Sequence, residues 1–349
     1  MFVFVCVRCG AELTAPLSRA ALPAHARQKY GNGLQLPVLM ASGTFAVELE
    51  PWGPPWRRRA EFDLDEAAGA VVIAPGDTRG TVLIPEKRGG ACCGFDGGDG
   101  PNMACAACGL PVASRIDDCS LWQAVWLAPD AVRRLPVGGA DAGLLSWADL
   151  LAEGAGVPPS EPIASWGEPF RAGDRWHWSP QWVAAAGQAL AYLLVASEGE
   201  AVAVQDGLAA TMFQRALDTL LPAGRPKRRA VLAGPGQPAR NADADILLVP
   251  SHPQTGKAWA PAAPASLVPL PFGVWLRLAF PEPQLPVPAS GPMPDGVLRD
   301  DPPTPSVHDA FRIDWEVFQR TLARLPGIHT PWLREITENL TQHRRTGLL

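Results

Sequence analysis

Residues 6–10 read Cys-Val-Arg-Cys-Gly, and residues 105–109 read Cys-Ala-Ala-Cys-Gly. Each turn runs into a short apolar, strand-like stretch: Ala11-Glu12-Leu13 after the first, Leu110-Pro111-Val112 after the second. A Cys-x-x-Cys turn presents two thiols from one tight bend, and the glycine after it admits a backbone that lets amides approach sulfur. Two such turns supply four sulfurs, the closed tetrahedral set of a structural metal site. Cys6, Cys9, Cys105 and Cys108 are therefore the expected ligands of one structural Zn2+.

The paired pattern resembles the zinc-ribbon class, and the resemblance covers the two knuckles. The 95 residues between Cys9 and Cys105 depart from a compact ribbon and leave the topology open. Loop closure adds only about 0.6 kcal/mol per doubling of length, against roughly 10–16 kcal/mol for a structural zinc in peptides. The rest of the chain resembles proteins of high-GC bacteria, which implies no activity. A thioredoxin-like redox pair fits poorly, because that motif opens a helix in a βαβ unit. Cys92 and Cys93 lie in Gly-rich GGACCGFDGGDGP (89–101) and read as loop thiols. They could instead replace one knuckle or form a second site with a histidine, although adjacent cysteines are awkward ligands for one ion. Cys119 reads as a small buried hydrophobe.

With 349 residues, 47% hydrophobic and 19% charged, the chain can build a real core and is long enough for two domains. The net charge of −5 disfavours non-specific nucleic-acid binding. Four Lys against 26 Arg, with heavy Ala, Pro and Gly, reflects coding bias. The 13 Trp read mainly as core. The apolar start MFVFVCV lacks a basic lead and is broken by Arg8, so it does not read as a signal peptide. No stretch reaches the ~20 apolar residues of a membrane span. The expected compartment is the cytoplasm, where paired cysteines favour metal over disulfide.

The expected fold class is α+β: a zinc-stapled, mostly-β N-terminal domain (1–138), a mixed α/β domain (139–280), a Pro-rich linker (281–308) and a C-terminal helical hairpin (309–349). AVVIAP (70–75), GDTRG (76–80) and TVLIPE (81–86) predict a hairpin. VASRI (112–116) and SLWQAVWL (120–127) predict strands. Ser146 and Asp149 form a capping-box pattern, and Ser179-Pro180 opens a helix carrying Val183, Ala186, Leu190 and Leu194. A further helix starts at Asp206 and stops at Pro222 and Gly224. RAVLAG (229–234), DILLVP (245–250) and FGVWLRLAF (272–280) read as strands. Nine prolines between 281 and 305 predict an extended tether. Beyond it Phe311, Trp315, Phe318, Leu322 and Leu325 share one helical stripe, and Thr330-Pro331 opens a second helix with Trp332, Ile336 and Leu340 on one face. That stripe must dock, preferably on the chain itself.

Catalytic signals are sparse. His177 among Trp176, Trp178 and Trp182, with Asp174 nearby, is the best candidate for a pocket holding a base, but reads more simply as Trp-rich packing. QTGK (254–257) lacks the remainder of a phosphate loop, and GPGQP (234–238) lacks the dinucleotide spacing. Asp243 and Asp245 read as the wet edge of a strand. The leading expectation is a non-catalytic, zinc-binding interaction module, with protein as partner and no membrane. The alternatives are an enzyme with a Trp/His pocket between the domains, and nucleic-acid binding through the ribbon. The latter has only Arg8, Arg115, Lys87 and Arg88 near the knuckles to support it.

Overall fold

The computed structural model describes residues 1–26, 28–29, 33–48, 69–90, 92–138, 143–162, 176–238, 244–261, 265–281 and 310–336. The described residues up to 138 form a β assembly. Its strands are β1 (Phe2–Cys6), β2 (Ser18–Arg19), β3 (Thr44–Val47), β4 (Val71–Ile73), β5 (Thr81–Leu83), β6 (Met103–Cys105), β7 (Pro111–Ile116), β8 (Ala124–Leu127) and β9 (Val132–Pro136). Seven of them form one sheet in the order β2-β3-β4-β8-β7-β6-β5, while β1 and β9 pair antiparallel as a separate ribbon, Cys6 opposite Val132.

Period-two alternation assigns the faces of the large sheet. Phe45, Val71, Ile73, Val125 and Leu127 point to one side, where Phe4, Cys6, Leu13 and Leu17 pack on them. Ala46, Val72, Ala124 and Trp126 point to the other, beneath Leu36, Leu39, Met40 and Trp122. The 70–86 stretch does form two strands, but not the expected hairpin: β4 pairs with β3 and β8, and β5 pairs with β6 at the far edge. Local bonding diverts the turn between them. Arg79 and Ala15 exchange backbone hydrogen bonds with Leu13 and Asp77, and the buried Asp77 carboxylate accepts from Ser42 Oγ at 2.9 Å and the Gly43 amide at 2.8 Å.

The second half mixes helix and strand. Helix α1 (Trp147–Glu153) carries the expected capping box between Ser146 and Asp149. A short ladder, β10 (Ser160–Pro162) with β11 (Trp176–Trp178), leads into α2 (Pro180–Ala196). Pro180 holds the first helical position, but Ser179 does not cap; its hydroxyl donates to Glu161 Oε1 at 2.9 Å. Then follow β12 (Val202–Val204), α3 (Leu208–Leu220), β13 (Arg228–Leu232), β14 (Ile246–Ser251), β15 (Ser266–Pro271) and α4 (Phe272–Ala279). Strands β12 to β15 make a four-stranded sheet in sequence order, all parallel. One further correction arises here. FGVWLRLAF is helix α4 rather than a strand, burying Phe272, Trp275 and Leu278 at three-residue spacing. A short, mostly apolar run does not distinguish the two states by periodicity. The strand lies just before it, and its Pro269 and Pro271 are tolerated because β15 is an edge. GPGQP forms a turn, and Gly234 there leaves room for the Trp275 ring, which a Cβ would strike.

Apart from Pro281 the Pro-rich linker lies outside the described residues, as does Leu340. Beyond the linker, α5 (Trp315–Arg324) is capped by Asp314, whose side chain accepts from the Val317 amide at 2.9 Å. Phe318, Leu322, Ile328 and Leu333 are buried in the core shared with α2, so the tail packs on its own chain. A sixth helix starts at Pro331 and is described to Ile336. Gln28 joins the halves: it accepts from Trp122 Nε1 at 3.2 Å, donates to the Pro180 carbonyl at 3.1 Å and hydrogen-bonds Asp314. Burial raises the Asp314 carboxyl above its ordinary range.

This packing is open to two tests. A Cβ at Gly187 of α2 would collide with the Asp314 carbonyl oxygen and lie 3.1 Å from the Phe318 amide. Gly187→Ala gains about 1 kcal/mol of helix propensity but overpacks a backbone–backbone contact, an effect of roughly 1–3 kcal/mol or more. The melting temperature should fall, and Gly187→Val should lower it further; unchanged melting would mean that α5 does not sit there. His25 packs on Trp122 with ring centroids 4.3 Å apart, and burial pushes its pKa from 6.5 down to about 3. The unfolded chain therefore takes the proton first. Stability is complete above pH 6.5 and declines as pH falls from 6.5 toward 3, by about 1.4 kcal/mol per unit. Unfolding followed from about pH 7 to pH 4 should show that slope, and His25→Phe should flatten it.

Candidate metal centre

The two knuckles fold alike. At the end of β1 the Cys6 amide donates to the Ala11 carbonyl and the Gly10 amide to the Cys6 carbonyl; at the end of β6 the Cys105 amide donates to Leu110 and the Gly109 amide to Cys105. Gly10 and Gly109 have φ of 75° and 73°, the left-handed region that a side chain resists, although a Cβ at either would meet nothing within 4 Å. Conformation rather than space requires glycine here.

The knuckles belong to different sheets, one to the β1–β9 ribbon and one to the β6–β7 hairpin. They meet so that the four sulfurs lie within 4.8 Å of one another. Cys6 and Cys108 sulfurs are 3.6 Å apart, as are those of Cys9 and Cys105. A tetrahedron with metal–sulfur bonds of about 2.3 Å has edges of about 3.8 Å. The spacing therefore already approaches that of a closed four-thiolate site, and this set could hold a metal ion. Cys6 and Cys105 are buried, Cys108 is half-buried and Cys9 is exposed.

The electrostatics suit a cation. Desolvation opposes the Cys6 thiolate, but amides of Cys9 and Arg8 aimed at its sulfur, with the neighbouring thiols, bring its pKa down to about 7. The Ala11 amide favours the Cys9 thiolate, yet desolvation and the other three sulfurs push Cys9 up to about 12. Four thiolates this close repel one another, and a dication among them removes the conflict and keeps the thiols deprotonated. The Arg8 guanidinium also reaches the Cys108 carbonyl at 3.5 Å, joining one knuckle to the other.

The other candidates are placed as follows. His177 stands in the β10–β11 ladder opposite Glu161, beside Trp178, which meets Phe311 edge-on at 5.0 Å. Asp174 and Asp243 lie outside the described residues. Asp245 accepts from the Arg229 amide at 2.9 Å, capping a strand end. Lys257 lies in a turn whose carbonyl accepts from the His252 amide, and buried His252 bonds the Leu145 carbonyl at 2.9 Å.

Residues read separately in the sequence also converge. Cys92, Cys93, Asp118 and Cys119 form a second group whose ligand atoms lie within 4.8 Å of one another. Cys119 is indeed buried, but its sulfur faces that of Cys92 at 3.2 Å. The available signal was two cysteine-bearing turns, Cys92-Cys93-Gly94 and Asp117-Asp118-Cys119, flanking one β-hairpin. No helix among the described residues is long and apolar enough to cross a membrane. The chain matches no protein-family model, no curated protein and no solved structure.

Removing one ligand from the first centre should release its metal. Cys105→Ser is expected to lose one bound equivalent by elemental analysis and to melt well below wild type, since it opens a site formed by two sheets. Full metal retention in Cys6→Ser/Cys9→Ser would show that these sulfurs are not the ligands.

Proposed function

We propose that the chain is a non-catalytic zinc protein whose work is to bind another protein. The observation carrying this reading is the four-sulfur set at near-tetrahedral spacing. Four protein thiolates complete the coordination of Zn2+ and leave no open position for a substrate or an activated water, which is the mark of a structural site. Cys6, Cys9, Cys105 and Cys108 would hold the ion, and its chemistry there is to fasten the β1 knuckle to the β6–β7 knuckle. Paired cysteines favour metal over disulfide where thiols are kept reduced, so we place the protein in the cytoplasm.

The corner that the metal would fasten also carries exposed apolar surface. Among the described residues strand β5 is an edge strand, paired only with β6, and Val82 and Leu83 on it are 51% and 41% exposed. The Gly80 carbonyl just before β5 accepts from the Ala106 amide of the second knuckle, and a Cβ at Gly80 would lie 2.6 Å from the Glu12 carbonyl oxygen beside the first. Val7 at the tip of the first knuckle is 49% exposed. It borders a groove of about 420 Å³ that Arg8, Leu110, Trp126 and Pro129 also line. A free edge with apolar side chains suits strand addition by an extended protein segment. The net charge of −5 argues against nucleic acid as the occupant.

Zinc should account for the metal found in purified protein, and chelation should lower the melting temperature. The full chain used as bait should retain a defined partner that Val82→Lys/Leu83→Lys loses while its own melting is unchanged. Equal retention by the variant would exclude the β5 edge. Selective sub-micromolar binding of nucleic acid at physiological salt would overturn the choice of partner.

A further inference from the structure

The second cysteine group lies at the opposite end of the β6–β7 hairpin from the first. Because β6 and β7 are antiparallel, the chain entering β6 and the chain leaving β7 arrive side by side. Buried Asn102 extends the pairing past the strand end: its Oδ1 accepts from the Arg115 amide at 2.7 Å and its Nδ2 donates to the Arg115 carbonyl at 2.9 Å. The Gly-rich loop is thereby held against the β7–β8 turn. The Phe95 amide donates to Asp117 Oδ1 at 2.8 Å, and the Phe95 carbonyl accepts from Asp117 and Asp118. Gly94 permits this approach, since a Cβ there would lie 2.6 Å from the Asp117 carbonyl oxygen.

Three sulfurs and a carboxylate oxygen converge at this junction. Cys92 and Cys119 sulfurs are 3.2 Å apart, and Asp118 Oδ1 lies 2.9 Å from Cys93 Sγ and 3.7 Å from Cys92 Sγ. A tetrahedral zinc with about 2.3 Å to sulfur and about 2.0 Å to oxygen requires S–S edges of about 3.8 Å and S–O edges of about 3.5 Å. These three separations lie within about 0.6 Å of those edges. The steric objection to adjacent cysteines holds in a strand, where successive side chains point to opposite faces. Cys92 and Cys93 lie in a bend, and both sulfurs turn to one point. The surroundings are those of a ligand shell. The Cys119 amide donates to Cys93 Sγ at 3.2 Å, the Gly33 amide to the Cys119 sulfur, and the amides of Cys93 and Gly94 to Asp118 Oδ1 at 3.1 and 3.2 Å. Such second partners orient metal ligands and fix their charge.

We propose that Cys92, Cys93, Cys119 and Asp118 form a second zinc site, with three thiolates and one carboxylate. It is independent of the first centre and clamps the 89–101 loop to the β7–β8 turn. Each set has one exposed cysteine, but the first has two buried ones, Cys6 and Cys105, against Cys119 alone in the second, so the second ion exchanges faster.

The test is the zinc stoichiometry of the full chain, purified under reducing conditions, by native mass spectrometry. Two equivalents are expected, with one lost in Cys93→Ser/Cys119→Ser and the other in Cys9→Ser/Cys108→Ser. A limited dose of chelator should remove first the ion that the Cys93/Cys119 variant lacks. Should that variant fail to fold, Asp118→Asn supplies the readout. With Co2+ in place of zinc, it should shift the visible spectrum of the second equivalent and leave that of the first unchanged. A single equivalent, kept by Cys93→Ser/Cys119→Ser and lost from Cys9→Ser/Cys108→Ser, would overturn the second site and leave the first standing. A single equivalent with the opposite dependence would support the second site and remove the first. Metal-free protein with a Cys92–Cys119 disulfide in peptide maps would also overturn it, making the pair a redox couple.

Discussion

Four sulfurs that lie within 4.8 Å of one another on two separate knuckles constrain two backbones at once. The β1 knuckle arrives on a two-stranded ribbon and the β6 knuckle on a seven-stranded sheet, so the sulfurs can meet only if the ribbon lies across one end of that sheet. Much of the N-terminal packing is consistent with this demand. Cys6 and Cys105 belong to the same apolar cluster as Phe4, Phe45 and Leu127, so the ligand set grows directly out of the core. Phe45 receives Phe4 edge-on at 5.2 Å and Phe2 at 5.9 Å, which holds the ribbon at a fixed angle to the sheet. A metal held by the four sulfurs would thus support the same docking as the hydrophobic face, the one by directed bonds and the other by burial.

The helical half is joined to this assembly mainly by polar stitches. Gln28 contacts Trp122, the start of α2 and Asp314 with a single amide, and the Ala21 amide donates to the Pro253 carbonyl at 2.8 Å. Buried amides that satisfy several partners at once fix orientation more than they add stability, because an unmatched group there would be costly. Gly187 serves a similar purpose within the second half: without a Cβ, α2 lets the backbone of α5 come close enough to bury Phe318 fully. The tail is therefore a packed element of the core.

The β6–β7 hairpin gives the protein a two-ended design. One end carries a symmetric pair of knuckles; the other carries an asymmetric set in which a carboxylate joins thiols, and each set has one exposed cysteine. Desolvation favours the neutral form of the Asp118 carboxyl, but hydrogen bonds from the Cys93 thiol and from the Cys93 and Gly94 amides outweigh it and hold its pKa down. At both ends backbone amides point at the sulfur or carboxylate atoms, with glycine needed for its left-handed conformation at the knuckles and for close approach at Gly94.

Part of this organisation is legible in the sequence because the chemistry behind it is local. The CxxCG turns announce their thiols and their left-handed glycines, since both properties reside within five residues. The capping box at Ser146 and Asp149, Pro180 at the head of α2, and the apolar stripe of α5 are readable for the same reason. Where an apolar run lacks a period, as at 272–280, the sequence does not separate helix from strand, and the parallel sheet decides by placing its edge strand just before. Strand partners are equally hidden: β4 and β5 are neighbours in sequence but sit apart in the sheet, because Leu13, Ala15 and Asp77 claim the bonds that a hairpin would use. Cys92, Cys93, Asp118 and Cys119 carry no spacing rule that unites them. Their meeting follows from the antiparallel pairing of β6 with β7, and proximity across a hairpin is set by tertiary register rather than by any local preference of the chain.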